Sequence, residues 1–149
     1  MRANFGFAER TRINHRPGHI LLAEDSLEIA KLFSLALTQA GHQVSVAYDG
    51  KLAMELLTKQ CVNLAILDVN LPEADGFEVC RFLKGQDDLR HVPVIFCTGR
   101  QHPDDQIRAR KLGASAFLNK PLTMTELITA VDLVLQESRT VGLRSSSSP

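Results

Sequence analysis

Leu64-Ala65-Ile66-Leu67 is an unbroken apolar run closed by a carboxylate, Asp68, and such a run has few places to go. Consecutive apolar side chains bury both faces of a strand, the pattern of a central strand in a parallel sheet rather than of a half-solvated antiparallel one. The arrangement recurs. Ile20-Leu21-Leu22-Ala23 closes on Glu24-Asp25, Val94-Ile95-Phe96-Cys97 on Thr98, and Ala116-Phe117-Leu118-Asn119 on Lys120-Pro121. Parallel strands bring their carboxyl ends to one sheet edge, where open α/β sheets bind and react. Three acids, a hydroxyl and an ammonium are therefore expected to meet in one small cleft, a set that suits a divalent cation and a phosphoryl group.

Helical stripes lie between the runs. The expected order is a strand near 19–23, a helix near 26–40 with Ile29, Leu32, Phe33, Ala36, Leu37 and Ala40 inward, a strand near 43–47, and a helix near 50–59 carried by Ala53, Leu56 and Leu57. Then come a strand at 64–68, a helix near 76–84 with Val79, Phe82 and Leu83 inward, and a strand at 93–97. A mostly polar helix near 104–112, a strand near 116–119 and a helix near 124–137 complete the series. Strict alternation of strands and helices predicts a parallel sheet covered on both faces. Residues 1–18 end at the turn signal Pro17-Gly18 and read as an N-terminal extension. Residues 138–149, rich in serine, read as a flexible tail or linker.

At 149 residues and 44% hydrophobic content, the chain suits one compact domain. No apolar stretch approaches the roughly 20 residues of a membrane span. The three cysteines lack metal-ligand spacing and read as reduced, mostly buried thiols, which points to the cytoplasm. The formal net charge is zero, but the middle is acidic and both ends are basic, a distribution that argues against nucleic-acid binding by the folded part. The five histidines are scattered and supply no metal set.

The acids carry the chemistry. Glu24, Asp25 and Asp68 repel one another when packed together, and burial adds to the cost. A hard cation such as Mg²⁺ relieves that repulsion, since it prefers oxygen ligands and keeps several waters. Taken alone, Glu24-Asp25 reads equally as a helix cap. An aspartate can attack phosphorus and form an acyl phosphate. That reaction needs alignment and charge neutralisation more than proton transfer. Lys120 is the cation among these strand ends, and its bond to Pro121 is a candidate for the cis form. Thr98 offers a hydroxyl to a phosphoryl oxygen, or equally a cap to the helix that follows.

These residues, in this order, resemble the receiver domain of two-component response regulators, over about 19–137. The pieces that carry the resemblance are Leu22-Ala23-Glu24-Asp25, Leu67-Asp68-Val69-Asn70-Leu71-Pro72, Asp75-Gly76, Cys97-Thr98-Gly99 and Phe117-Leu118-Asn119-Lys120-Pro121. The resemblance implies a doubly wound, flavodoxin-like sheet of five parallel strands in the order 2-1-3-4-5 with five helices. It implies Asp68 as phospho-acceptor, with Mg²⁺ (or Mn²⁺) held by Glu24, Asp25, Asp68 and the backbone carbonyl of Asn70. Lys120 would contact the phosphoryl group and Thr98 would move toward it. Phe117 would turn inward as an aromatic switch, although by itself it reads as a plain core aromatic. Asn70 and Arg100 would tune hydrolysis. The implied partner is a histidine kinase or phosphotransfer protein. The implied output face comprises the fourth helix, fifth strand and fifth helix, which in the family also serves dimers. Such a domain is a signalling receiver, catalysing only its own phosphorylation and dephosphorylation.

Three other readings compete. A haloacid-dehalogenase-like phosphatase would carry a second aspartate two residues after the first, where this chain has Asn70. A docking receiver that no longer takes phosphate would not require Glu24, Asp25, Asp68, Thr98 and Lys120 together. A flavin-binding protein would offer Ser, Thr and Gly amides after the first strand, where this chain has Glu24-Asp25-Ser26.

Overall fold

The computed structural model describes residues 16–147. Within them the chain alternates β1 (His19–Ala23), α1 (Leu27–Gln39), β2 (Gln43–Ala47), α2 (Gly50–Lys59), β3 (Leu64–Leu67), α3 (Gly76–Gly85), β4 (Val94–Thr98), α4 (Asp105–Lys111), β5 (Ala116–Asn119) and α5 (Met124–Ser147). All strand pairings are parallel, in the order β2-β1-β3-β4-β5. This is the order that the resemblance implies.

The apolar runs become the three central strands because both of their faces are covered. Leu21, Ala23, Ala65, Leu67, Val94 and Phe96 point to one side, against α2 and α3. Ile20, Leu22, Leu64, Ile66, Ile95 and Cys97 point to the other, against α1 and α5. Each fully buried Leu or Ile contributes about 1.5–3 kcal/mol, so the sheet is fixed mainly by these two aliphatic layers. β2 and β5 lie at the edges and are only partly covered.

Polar residues set the helix starts. Ser26 Oγ accepts from the Ile29 N–H at 3.3 Å, Asp49 Oδ1 from Leu52 at 2.7 Å, and Asp75 Oδ1 from Glu78 at 2.9 Å. Each bond satisfies an orphan donor of a first turn. α4 differs: its N-cap residue, Asp104, makes no side-chain cap.

Two expectations differ from the structure. Leu32 was placed on the inward stripe of the first helix, yet it is 52% exposed, alongside Leu27 and Leu35. The buried face is centred on Ala30, Phe33 and Leu37, and Leu32, one residue before Phe33, is rotated about 100° off that centre. The last helix, expected to stop near 137, continues to Ser147. Propagation adds one hydrogen bond per residue fixed, and no proline interrupts it before Pro149. Arg139 also anchors this stretch, donating to the carbonyls of Arg16 and Pro17 at 3.1 Å each. Nearby, buried His42 accepts from the Gly18 N–H on Nδ1 and meets Asp132 through Nε2 at 3.2 Å, tying α5 to the base of the sheet. The basic segment 1–15 lies outside the described residues. Of the cysteines, Cys80 and Cys97 are buried and Cys61 is exposed.

One close approach bears directly on the sheet edge. α3 begins at Gly76, where an added Cβ would lie 2.1 Å from the carbonyl oxygen of Asp68. The backbone of the helix therefore rests on the backbone of the strand end. Gly76→Ala should push them apart and destabilise the fold by about 1–3 kcal/mol. Denaturant unfolding that gave the wild-type midpoint would show that the approach is not tight in solution.

Candidate functional site

The strand register builds the site. Ala23 pairs with Leu67, Leu67 with Phe96, and Thr98 with Asn119. The residues just beyond these partners arrive at the same level of the edge. Backbone bonds carry the register one step further: Asp68 N–H donates to Ala23 O at 3.1 Å, and Lys120 N–H to Thr98 O at 2.9 Å.

The side chains then converge. Lys120 Nζ donates to Asp68 Oδ2 at 2.8 Å and also bonds Glu24 Oε1. The Lys120–Pro121 bond is cis. Glu24 and Asp68 are buried and Asp25 is exposed, with one oxygen from each of the three lying within 4.8 Å of the others. Backbone amides complete the arrangement: Ser26 N–H donates to Glu24 Oε2 at 3.0 Å, and Asn70 N–H to Asp68 Oδ1 at 3.2 Å.

The electrostatics follow from burial and pairing. Burial pushes the Glu24 carboxyl above its ordinary value, against the opposing hydrogen bond from Lys120 and the Ser26 amide, with the Asp68 charge adding to the rise. Burial alone would lower the Lys120 ammonium, but its hydrogen bonds to Asp68 and Glu24 outweigh that and hold it above its ordinary value. Cys97, in the layer beneath, is pushed up to about 12 by burial, which leaves it an inert thiol. An edge whose acid resists ionising is one that a further cation stabilises. The donors on hand, three carboxylates beside the Asn70 backbone, are the hard oxygens that Mg²⁺ or Mn²⁺ prefers.

The remaining candidates flank this centre. Thr98 is fully buried, and its Oγ1 accepts from the Arg100 N–H at 3.1 Å. Arg100 reaches Asn70 Oδ1 at 3.5 Å. Phe117 is half-buried, its ring 6.2 Å from that of Phe96. Sequence reasoning missed Asp105. This aspartate is 2% exposed and receives the Arg100 guanidinium, with Nη2 at 3.3 Å from Oδ1 and Nε at 2.9 Å from Oδ2. The Oδ2 approach is not aligned as a hydrogen bond, so it is a contact of charge with charge. In the sequence Asp105 is one polar residue in a polar helix, and only its distance of five residues from Arg100 hinted at a role.

Comparison with known proteins agrees with this geometry. The profile of the response regulator receiver domain matches residues 20–132. The transcriptional regulatory protein GltR of Pseudomonas aeruginosa is 34% identical over 125 residues, covering 84% of this chain and 52% of that protein. The chain spans about half the length, or less, of the first curated relatives it matches. The signal receiver domain of a signal transduction histidine kinase from Syntrophus aciditrophicus is 38% identical, with a TM-score of 0.74 over 79% of this chain and 89% of that one. The Mn²⁺-bound form of the response regulator Rcp1 is 32% identical, with a TM-score of 0.68 over 79% of this chain and 91% of that one. Among the described residues, no helix is long and apolar enough to cross a membrane. With its sheet order, its edge of acids and lysine, and a profile match over most of its length, the chain belongs to the response regulator receiver domain family of two-component signalling.

Proposed function

We propose that Asp68 accepts a phosphoryl group from a phosphohistidine on a kinase or phosphotransfer protein, and that the acyl phosphate formed is the signal. A carboxylate oxygen of Asp68 attacks phosphorus as the bond to the donor nitrogen breaks, and the imidazole leaves. Glu24, Asp25, Asp68 and the Asn70 carbonyl would hold Mg²⁺ (Mn²⁺ substituting), which supplies charge neutralisation for the transferring group. Lys120 stays beside Asp68 and donates to a phosphoryl oxygen. The Thr98 hydroxyl turns toward another, and Phe117 follows it inward. The observation that carries the reading is the Lys120 ammonium lodged between Glu24 and Asp68, since the same cation that pairs an empty aspartate can pair a phosphorylated one. The domain turns over no separate substrate. On this reading the domain works in the cytoplasm, in keeping with its three free cysteines. Output would pass through the α4–β5–α5 face, where Leu133 is 50% exposed and where a second copy could also dock.

Incubation with Mg²⁺ and acetyl phosphate should add one phosphoryl mass to the wild type and none to Asp68→Ala, with the Phe117 ring resonances shifting on loading. An unmodified wild type, or an Asp68→Ala variant modified to the same extent, would defeat the proposal. Unmoved Phe117 resonances in a loaded wild type would remove its switch role.

The metal makes a separate prediction. Binding to the folded state alone stabilises it, by about 2.7 kcal/mol when free Mg²⁺ is a hundredfold above its Kd. Thermal unfolding should show that gain in the wild type and little of it in Asp25→Asn. Equal gains in both would take Asp25 out of the ligand set.

Asn70 and Arg100 border the pocket and would set how long the acyl phosphate lasts, by restricting the approach of water. Phosphate release from loaded Arg100→Ala should be several-fold faster than from wild type, and matching rates would refute this role.

A further inference from the structure

α4 is held differently from the other helices. It has seven residues, and only Asp105 and Ala109 among them are buried. It lacks the side-chain cap that starts α1, α2 and α3. Arg108 rests on the Phe77 ring, 4.2 Å from its centre. At its N-terminal turn the Asp105 N–H donates to the His102 carbonyl at 3.1 Å, and the buried Asp105 side chain pairs with Arg100. His102 is no substitute in this arrangement. Its Nδ1 already accepts from the Asp104 N–H at 3.3 Å and stands 3.9 Å from Asp105 Oδ1.

The same guanidinium faces the phosphorylation pocket. Arg100 Nη1 donates to Asn70 Oδ1, and the Asn70 N–H donates to Asp68 Oδ1. One residue therefore separates Arg100 from the nucleophile, and Arg100 joins the edge of the pocket to the start of α4. Asp68, the acid to which this chain of contacts leads, is itself paired with Lys120. Phosphorylation would replace the single carboxylate charge there with a phosphoryl group of about two negative charges and three strong acceptor oxygens. The greater charge of such a group attracts a guanidinium more strongly than a single carboxylate does, and the planar fork can still bond two of its oxygens.

From this geometry we infer that Arg100 is shared between two anions, Asp105 on α4 and the phosphoryl group on Asp68, and that Asp105 is a positioning residue which holds Arg100 off the pocket until the group arrives. The inference rests on Asp68 being the phospho-acceptor. Its consequence runs in both directions. When Arg100 moves to the phosphoryl group, Asp105 is left as a buried charge without a cation, a costly state. α4 then shifts to bring that carboxylate to water, which its few apolar contacts allow. Conversely, any partner that displaces α4 frees Arg100 and strengthens binding of the phosphoryl group, because coupling between two sites is reciprocal.

The test uses beryllofluoride with Mg²⁺ as the phosphoryl probe, with affinity read by fluorine NMR and α4 mobility by amide exchange over residues 105–111. In the wild type, loading should speed exchange in α4. Asp105→Asn keeps the side chain's shape and removes its charge. It should bind beryllofluoride more tightly, by about fivefold or more, and its α4 should exchange rapidly before loading and change little on loading. In an Arg100→Ala background the Asp105→Asn change should leave affinity within about twofold, because the shared group is gone. A purely structural role for Asp105 would loosen α4 without tightening the probe. Wild-type affinity in Asp105→Asn would overturn the inference, as would tightening that persists without Arg100. The double variant carries no buried unpaired charge, so it reports even if Arg100→Ala alone unfolds. A wild type that takes up no beryllofluoride would instead sink the phospho-acceptor reading beneath it.

Discussion

Two carboxylates buried at the end of a sheet, with one ammonium between them, form the interaction on which the rest of this molecule's chemistry depends. Glu24 and Asp68 lie on adjacent strands and are nearly removed from water. Out of water and side by side, such like charges repel, and burial holds the Glu24 carboxyl above its ordinary value. Lys120 reaches both from beyond β5 and offsets that repulsion. The triad is therefore a cluster of anions held in place by one cation. It persists because β3, which Asp68 follows, is anchored by full burial of Leu64, Ala65, Ile66 and Leu67. The aliphatic layers supply the stability that the polar edge lacks.

Much of this was legible in the sequence, for identifiable reasons. Apolar runs that end in a charged residue reveal both the strand and the level at which its side chain emerges, so Glu24, Asp25, Asp68 and Lys120 could be assigned to one edge without coordinates. The order of the strands came from resemblance, since alternation alone leaves a parallel sheet's order open. Thr98 was also read from its strand end, but the bond it makes, to the Arg100 amide, depends on a loop path that no periodicity encodes.

What was not legible shares a cause. Leu32 is apolar and at helical spacing, yet the width of a buried stripe depends on how much of α1 the neighbouring elements cover, which is a tertiary quantity. The end of α5 was hidden for a similar reason. Serine and glycine are weak helix formers, but a helix already nucleated and anchored through Arg139 and Asp132 continues through them. Asp105 was the largest omission. A buried aspartate in a short polar helix looks like a solvated one until its partner is placed, and that partner, Arg100, sits in a loop.

Asp105 also separates two ways of holding a helix. α1, α2 and α3 are fixed to the sheet by apolar contact, which responds to no local change of charge, and α5 adds the ties of Asp132 and Arg139 to its own apolar face. α4 contributes one buried alanine to the core, with Leu112 packing at its end, and its N-terminal half is moored by charge, through Arg100 to Asp105 and Arg108 to Phe77. A tie of that kind can be redirected by placing a stronger anion nearby, whereas apolar burial of equal free energy cannot. A phosphoryl group differs from an empty aspartate mainly in charge and in acceptor oxygens. An element that is itself held by charge is therefore one on which it can act directly. On the proposed reading, the poverty of apolar side chains in α4 serves the signal rather than weakening the core.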